Sequence, residues 1–219
     1  MRSARVQKLE PGAMSLGARR ILHAAEKLFA ERGFSAASMS AIAKKAGVSK
    51  ANIYHHFPTK DDLYRAVIRL ASEAVREMIA DIESDHEPLT TRLPRFAEAH
   101  LNGFLEHSDL ARLVLTEILM DTPRRSRELA EGGFARNFGL LTRVIRSAQK
   151  TGELRKDADP AAVAVMVIAA NLFFFLNRDV LRHYKEFGYA DDPARYAKTV
   201  AKILLDGVKA PEKKVRRKA

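Results

Sequence analysis

The sequence SMSAIAKKAGVSKANIYHHF, residues 38–57, decides the fold of this chain. Ser38 and Ser49 are typical N-cap residues, so they predict two short helices that begin just after them. Between the two helices, Ala46 and Gly47 are small enough to permit close packing and a tight turn. The stretch therefore predicts a helix-turn-helix, with Val48 and Ile53 as the apolar contacts between its helices.

The second of these short helices offers polar or small side chains on its outer face. These are Lys50, Ala51, Asn52, Tyr54 and His55. A helix that enters the major groove of DNA needs such residues near its N-terminus in order to reach base edges. The stretch therefore indicates a partner that is double-stranded DNA.

Composition limits the class of protein. The chain has 219 residues, of which 47% are hydrophobic and 30% are charged, which suits one large domain or two small ones. The chain contains no cysteine, which excludes a disulfide scaffold, a cysteine zinc site, a thiol nucleophile and an iron–sulfur cluster. We expect a cytoplasmic protein without a signal peptide, a cofactor or a metal.

The formal net charge of +11 is concentrated at the two ends of the chain. Residues 1–15 and 209–219 are predicted to be basic arms, too polar to pack. The stretch from Gly33 to Lys60 has four lysines and no acidic residue, which favours a polyanion as partner. The alternative is an ordinary solvated surface.

Apolar residues recur at helical spacing along the whole chain, and no stretch alternates as a strand would. The prediction is an all-α fold with helices at 16–32, 60–84, 89–107, 109–120, 124–151, 160–184 and 192–208, besides the two short ones. We assign 16–60 to an N-terminal three-helix domain, about 60–84 to a linking helix, and 85–208 to a larger C-terminal helical domain for ligand binding and dimerisation. The helix 160–184 is apolar nearly all round, which predicts cover on more than one side instead of a membrane span.

Thr59 is the expected N-cap of the predicted helix 60–84, and Asp62 stands three residues on, as in a capping box. Lys60 stands in the first turn of this helix, where the helix macrodipole disfavours a cation. A lysine at this position suggests an external anion, and a DNA phosphate is the obvious one. An ordinary surface lysine is the other interpretation.

The same region resembles the opening of the TetR family of transcriptional regulators. The residues that carry the resemblance are Ile21–Ala25, Leu28–Phe34, Ser38–Lys50, Ile53–Phe57, Lys60 and Leu63, within about residues 18–70. The resemblance implies an N-terminal DNA-binding domain and a C-terminal domain that binds a small molecule and forms a homodimer. It also implies that the ligand moves the linking helix and releases the operator.

The resemblance assigns roles to individual residues. By carry-over, Lys50, Ala51, Asn52, Tyr54 and His55 face bases, whereas Ser38, Ser40, His56 and Lys60 hold phosphates; Ser49, the N-cap, is counted among the DNA-binding residues. Tyr54 could serve either role. A homodimer through 160–184 and 192–208 would bind an inverted-repeat operator.

A pocket for a small, largely apolar effector is expected among the helices of the C-terminal domain. The candidate residues are Phe96, His100, Phe104, Phe138, Asn171 and Phe174. His100 and Asn171 interrupt apolar faces, so each needs a polar partner when buried. The other interpretation of His100 is a buried core histidine that is hydrogen-bonded within the protein. The other interpretation of each phenylalanine is ordinary core packing.

No enzyme signature is present in the sequence. His55 and His56 are adjacent, so their side chains point about 100° apart on a helix and cannot share a metal.

Three hypotheses for the function stay open. The first is a repressor released by a ligand, the second is a DNA-binding regulator of the same fold that is controlled by a protein partner, and the third is an all-α enzyme or carrier.

Overall fold

The computed structural model describes residues 14–119 and 130–209. These residues form helices joined by turns, and they contain no strand. The all-α prediction is confirmed. The helices are α1 (Leu16–Ala36), α2 (Met39–Ala46), α3 (Lys50–His56), α4 (Lys60–Ser84), α5 (Leu89–Glu106), α6 (Ser108–Leu119), α7 (Ala135–Thr151), α8 (Pro160–Leu181) and α9 (Pro193–Val208). A π-helical turn, Ala130–Phe134, precedes α7. The predicted arms and the start of the predicted helix 124–151 lie outside the described residues, apart from Met14, Ser15 and Lys209.

The chain divides into two compact units. The described part of the first unit contains residues 14–70 and α6, whereas the second contains the rest of α4, α5 and residues 130–209. This division differs from the expected one, which placed residues 109–120 in the C-terminal domain. The sequence pattern of α6 shows that the helix has an apolar face, but it does not show which of the two cores that face packs against.

The first unit is built around the apolar faces of three helices. Ile21 and Phe29 of α1, Ile42 of α2 and Ile53 of α3 are completely buried. Burial of such side chains stabilises by about 1.5–3 kcal/mol each. These contacts hold the two short helices, which would be marginal in isolation.

The second unit has its core between α5, α7, α8 and α9. Its fully buried side chains include Leu89, Leu93, Phe96, Leu101, Leu141, Ile145 and Phe174. Pro88, at the N-cap of α5, has no side-chain cap, so Glu153 serves instead: its Oε2 accepts a hydrogen bond from Leu89 N at 2.5 Å. Glu153, the second residue after α7, thereby caps the start of α5.

Helix α8 has two apolar faces, and only one of them is covered. Val163, Val167, Asn171 and Phe174 are buried. The opposite side exposes large hydrophobic residues, namely Val165, Met166, Phe173, Leu176 and Val180. By length and composition alone α8 could cross a membrane, but its buried face is packed in the core of the second unit.

Candidate nucleic-acid interface

The helix-turn-helix is formed as the sequence predicts. Ser38 Oγ accepts a hydrogen bond from Ala41 N at 3.1 Å, and Ser49 Oγ accepts one from Asn52 N at 3.1 Å. Each serine therefore satisfies an amide that its helix would otherwise leave unpaired. Between α2 and α3, Gly47 has the left-handed conformation with φ 63° and ψ 39°.

The side chain of Arg20 also limits the space at the turn. A Cβ on Gly47 would lie 2.5 Å from Nη2 of Arg20, which reaches over from α1. The left-handed conformation therefore disfavours a side chain at Gly47, and the end of the Arg20 side chain would have to move to admit one.

One side of α2 and α3 is exposed and free of acidic residues. Its exposed residues are Ser38, Ser40, Lys44, Ser49, Lys50, Ala51, Asn52, Tyr54 and His55. At its edge Lys45 forms an ion pair with Glu31 of α1 at 2.9 Å, and this contact lowers the pKa of Glu31. Lys44 and Lys50 thus stand among hydroxyl, amide and aromatic groups, a combination that suits phosphate oxygens and base edges.

Asn52 and His56 differ from their neighbours because they also lie against the start of α1. A Cβ on Gly17 would lie 3.6 Å from both Asn52 Oδ1 and His56 Nε2. His56 is half-buried, whereas Asn52, Lys50, Tyr54 and His55 are exposed. The start of α1 thus lies close to two of the predicted DNA contacts.

Helix α4 begins with the predicted capping arrangement. Thr59 Oγ1 accepts a hydrogen bond from Asp62 N at 3.0 Å and donates one to Asp62 Oδ2 at 2.7 Å. The hydrogen bond from Thr59, followed by that from Arg65, lowers the pKa of the Asp62 carboxyl. The acid at this helix start is therefore held in its charged form, which the macrodipole favours.

The ammonium group of Lys60 has partners within the first unit. Its Nζ lies 2.8 Å from Phe34 O, 3.1 Å from Ser35 O and 3.1 Å from Ala37 O. The sequence argument gave this ammonium group an external phosphate as partner, whereas the structure gives it three carbonyl partners within the protein. The sequence did not reveal these acceptors because they lie more than twenty residues away along the chain.

Four of the six predicted effector residues come together in the second unit. Asn171 Nδ2 donates to Ala97 O at 2.8 Å and lies 3.3 Å from His100 Nδ1. The His100 ring is stacked on Phe96 and contacts Phe104, with ring centres 5.4 and 4.5 Å apart. Burial lowers the pKa of His100 to about 4, so this histidine is neutral at physiological pH.

The other two predicted effector residues lie apart from this group. Phe174 packs against Tyr196 and Phe187, with ring centres 4.5 and 6.1 Å away. Phe138 is half-buried on α7 and makes no ring contact with the His100 group in the described part of the chain. The sequence could not separate these two because periodicity places a residue on a face without saying which neighbour it meets.

A second buried polar group was not anticipated from the sequence. Asn137 Nδ2 donates to Ser72 O at 2.7 Å and to Ser72 Oγ at 3.1 Å, and both residues are buried. Because a carbonyl oxygen only accepts, these contacts fix the orientation of the amide. Its other end, Asn137 Oδ1, is buried without a hydrogen-bond partner in the described residues. A polar residue at an apolar position of a predicted helix was the only available signal.

Within residues 14–119 and 130–209, no three His, Asp or Glu side chains lie together as metal ligands would.

Comparison with known proteins covers both units. Residues 21–67 match the family model of bacterial regulatory proteins of the tetR family, and residues 90–208 match that of the tetracyclin repressor-like C-terminal domain. The regulator UidR of Escherichia coli is 28% identical over 155 residues, which cover 68% of this chain and 74% of UidR. RutR of Escherichia coli is 27% identical over 175 residues, which cover 80% and 76% of the two chains.

A solved structure shows the same fold. The fatty acid degradation regulator FadR of Bacillus halodurans superposes with a TM-score of 0.71 at 20% identity, over 90% of this chain and 99% of that one. With both family models matched in order, the chain belongs to the TetR family of DNA-binding transcriptional regulators.

Proposed function

We propose that this chain is a cytoplasmic, sequence-specific repressor that a small, largely apolar ligand releases from its operator. The acid-free exposed face of α2 and α3 is the observation that supports DNA recognition most directly. Lys50, Ala51, Asn52, Tyr54 and His55 are proposed to face bases, and Ser38, Ser40 and His56 to hold phosphates. Ser49 contributes by capping α3.

The experiment is selection of bound sequences from a random DNA pool, followed by affinity measurements at several salt concentrations. Asn52→Ala should relax the preference at particular base pairs, at about 1–3 kcal/mol per lost base contact. Gln149→Ala, which removes an amide from α7 in the second unit, is the matched control and should leave the preferred sequence unaltered. Failure to recover any preferred sequence, or binding that does not depend on salt, would refute the proposal.

We also propose that the protein acts as a homodimer through α8 and α9. Val165, Met166, Phe173 and Val180 of α8 are about half exposed, and Ile203 of α9 is 65% exposed. An apolar surface of this kind marks an interaction site in a water-soluble protein. A second copy would supply two more such helices and make a four-helix bundle, and the operator would then be an inverted repeat.

The effector is proposed to bind in the second unit, beside two polar groups. Asn171 Nδ2 is a donor, so His100 Nδ1 accepts and the ring carries its hydrogen on Nε2, which can donate to a ligand. Asn137 Oδ1 is an acceptor without a donor. A suitable ligand would be mostly apolar and carry a hydroxyl or N–H for Asn137. FadR of Bacillus halodurans, by its name a regulator of fatty acid degradation, gives an apolar class to screen first.

A thermal-shift screen against fatty acids and hydroxylated apolar compounds tests this part. A ligand that binds the folded protein raises its melting temperature. Its affinity should then fall in the presence of operator by the factor by which it weakens DNA binding; about a hundredfold corresponds to about 2.7 kcal/mol. Equal affinities with and without operator would mean that the compound is not an effector.

The hydrogen bond from Asn171 Nδ2 to His100 Nδ1 favours a second candidate function. It is the arrangement expected of a core that holds no ligand, as in a regulator of the same fold that a protein partner controls. Absence of any stabilising compound in the screen would favour that function.

A further inference from the structure

The ammonium group of Lys60 is fully used inside the first unit. It has three hydrogens, and three carbonyl oxygens, from Phe34, Ser35 and Ala37, lie within 3.1 Å of Nζ. The ring of Phe34 lies under the same group, with its centre 4.5 Å from Nζ. No hydrogen is left over for an external acceptor.

The positive charge of Lys60 also lies in a favourable electrostatic environment. The three carbonyls belong to the end of α1, after the interruption of that helix at Gly33. Carbonyls at a helix end lack partners within the helix and carry partial negative charge. Lys60 is in an unfavourable position in its own helix, α4, but its charge meets three carbonyl oxygens that follow the interruption of α1 at Gly33.

The two ends of this contact enclose the helix-turn-helix. Ala37 comes directly before Ser38, the N-cap of α2, and Lys60 comes three residues after Phe57, the C-cap of α3. One side chain therefore joins the segment through which the chain enters the helix-turn-helix to the segment through which it leaves.

We propose that Lys60 is a positioning residue, which orients α2 and α3 for operator recognition by holding the two ends of residues 38–57 together and makes no contact with DNA phosphate. This proposal rests on the proposed function only in that the helix-turn-helix reads DNA. Transfer of the ammonium to a phosphate would break three hydrogen bonds to carbonyl oxygens, two of them part-buried, so we expect the contact to persist in the DNA complex.

Substitutions separate this role from that of a phosphate ligand. Lys60→Met keeps the aliphatic chain and removes the donors, and we expect operator affinity to fall by about tenfold or more while the dependence on salt stays the same. Lys60→Arg should resemble Lys60→Met, because a planar guanidinium does not meet three carbonyls grouped around one nitrogen, although it would bind a phosphate well. Lys44→Met is the matched comparison on the exposed face, at a lysine with no proposed base contact. The slope of its log affinity against log salt concentration, the salt slope, should decrease in magnitude by about one.

The measurements use the full chain, the selected operator and a random duplex, below the melting temperature of every variant. A salt slope that falls by about one for Lys60→Met, or normal operator binding by Lys60→Arg, would overturn the proposal. So would a lower melting temperature with an unchanged ratio of operator to random-duplex affinity, since Lys60 would then only stabilise the fold.

A second measurement needs no variant and does not depend on a stable mutant. Wild-type protein is treated with acetic anhydride with and without DNA, and the modification of each lysine is followed by mass spectrometry. Lys60 should react slowly in both samples, whereas Lys44 and Lys50 should react quickly and become protected only by DNA. Rapid reaction of Lys60 in the free protein, lost on adding DNA, would refute the positioning role. Absence of DNA protection at every lysine would refute the proposed function while leaving the slow reaction of Lys60 as a separate result.

Discussion

Asn171 donates a hydrogen bond to Nδ1 of His100 across 3.3 Å, and the contact joins α8 to α5 in the core of the second unit. The direction of the bond is fixed because the same nitrogen also donates to Ala97 O. His100 is thereby held as the neutral tautomer with its hydrogen on Nε2. Protonation at Nδ1 would turn two donors towards each other inside an apolar core.

This geometry predicts a dependence of stability on pH. Burial lowers the pKa of His100 from 6.5 to about 4, so between these values the unfolded chain binds a proton that the folded chain excludes. The free energy of unfolding should therefore fall as the pH decreases from 7 towards 4, with about 2 kcal/mol lost by pH 5 from this group alone. Urea unfolding at pH 7 and pH 5 measures this loss.

His100→Gln is the control for that measurement, because glutamine has similar polarity and does not titrate. The variant should lose less stability than the wild type over the same pH interval. An equal loss in both proteins would show that His100 is not the group responsible.

The two buried asparagines should respond differently to the same substitution. Asn171 is 1% exposed and Asn137 is 4% exposed, and each donates to a helix carbonyl and one side chain. Asn171→Ala leaves His100 Nδ1 without a donor, whereas Asn137→Ala also removes the unpaired Oδ1. Because a buried unsatisfied group costs about 1–3 kcal/mol, Asn171→Ala should be more destabilising by about that amount. Urea unfolding that gives equal losses, or a larger one for Asn137→Ala, would contradict this account.

The sequence predicted those features that depend on neighbouring residues. The caps at Ser38 and Ser49, the turn at Gly47 and the Thr59–Asp62 arrangement each need partners no more than a few residues away. Helical periodicity gave the helices for the same reason, since apolar spacing is a local property.

Features that depend on distant partners were not predictable in this way. The acceptors of Lys60, the Ser72–Asn137 contact and the membership of α6 in the first unit all depend on residues that only the folded chain brings together. A titratable or polar residue in a sequence shows that a partner is needed, but it does not show whether that partner belongs to the protein or to a ligand.

Two glycines should respond oppositely to alanine. Gly139 lies within α7 with open space around its Cβ position, so Gly139→Ala should raise the free energy of unfolding by about 0.5–1 kcal/mol. Gly47→Ala should lower it by more than about 1 kcal/mol, because Gly47 has φ 63° and the new Cβ would lie 2.5 Å from Arg20 Nη2, which would have to move. Urea unfolding at pH 7 compares them directly. A stabilising Gly47→Ala would mean that the turn relaxes freely.

The exposed face of α8 should control assembly. Phe173 is 56% exposed at the middle of that face, where a symmetric partner would bury it. Phe173→Glu would place an unpaired charge in an apolar contact, so we expect it to convert a dimer into a monomer at micromolar concentration. Sedimentation equilibrium gives the mass of each species. Arg146→Glu, a charge change on the exposed side of α7, is the control and should stay dimeric.

The same variant links assembly to recognition. A monomer contacts only one half of an inverted repeat, so Phe173→Glu should lose most of its affinity for the full operator. Its affinity for a single half-site should equal that of the wild type, because α2 and α3 are unchanged. A wild-type protein that sediments as a monomer, or a Phe173→Glu variant that sediments as a dimer, would exclude this face as the interface.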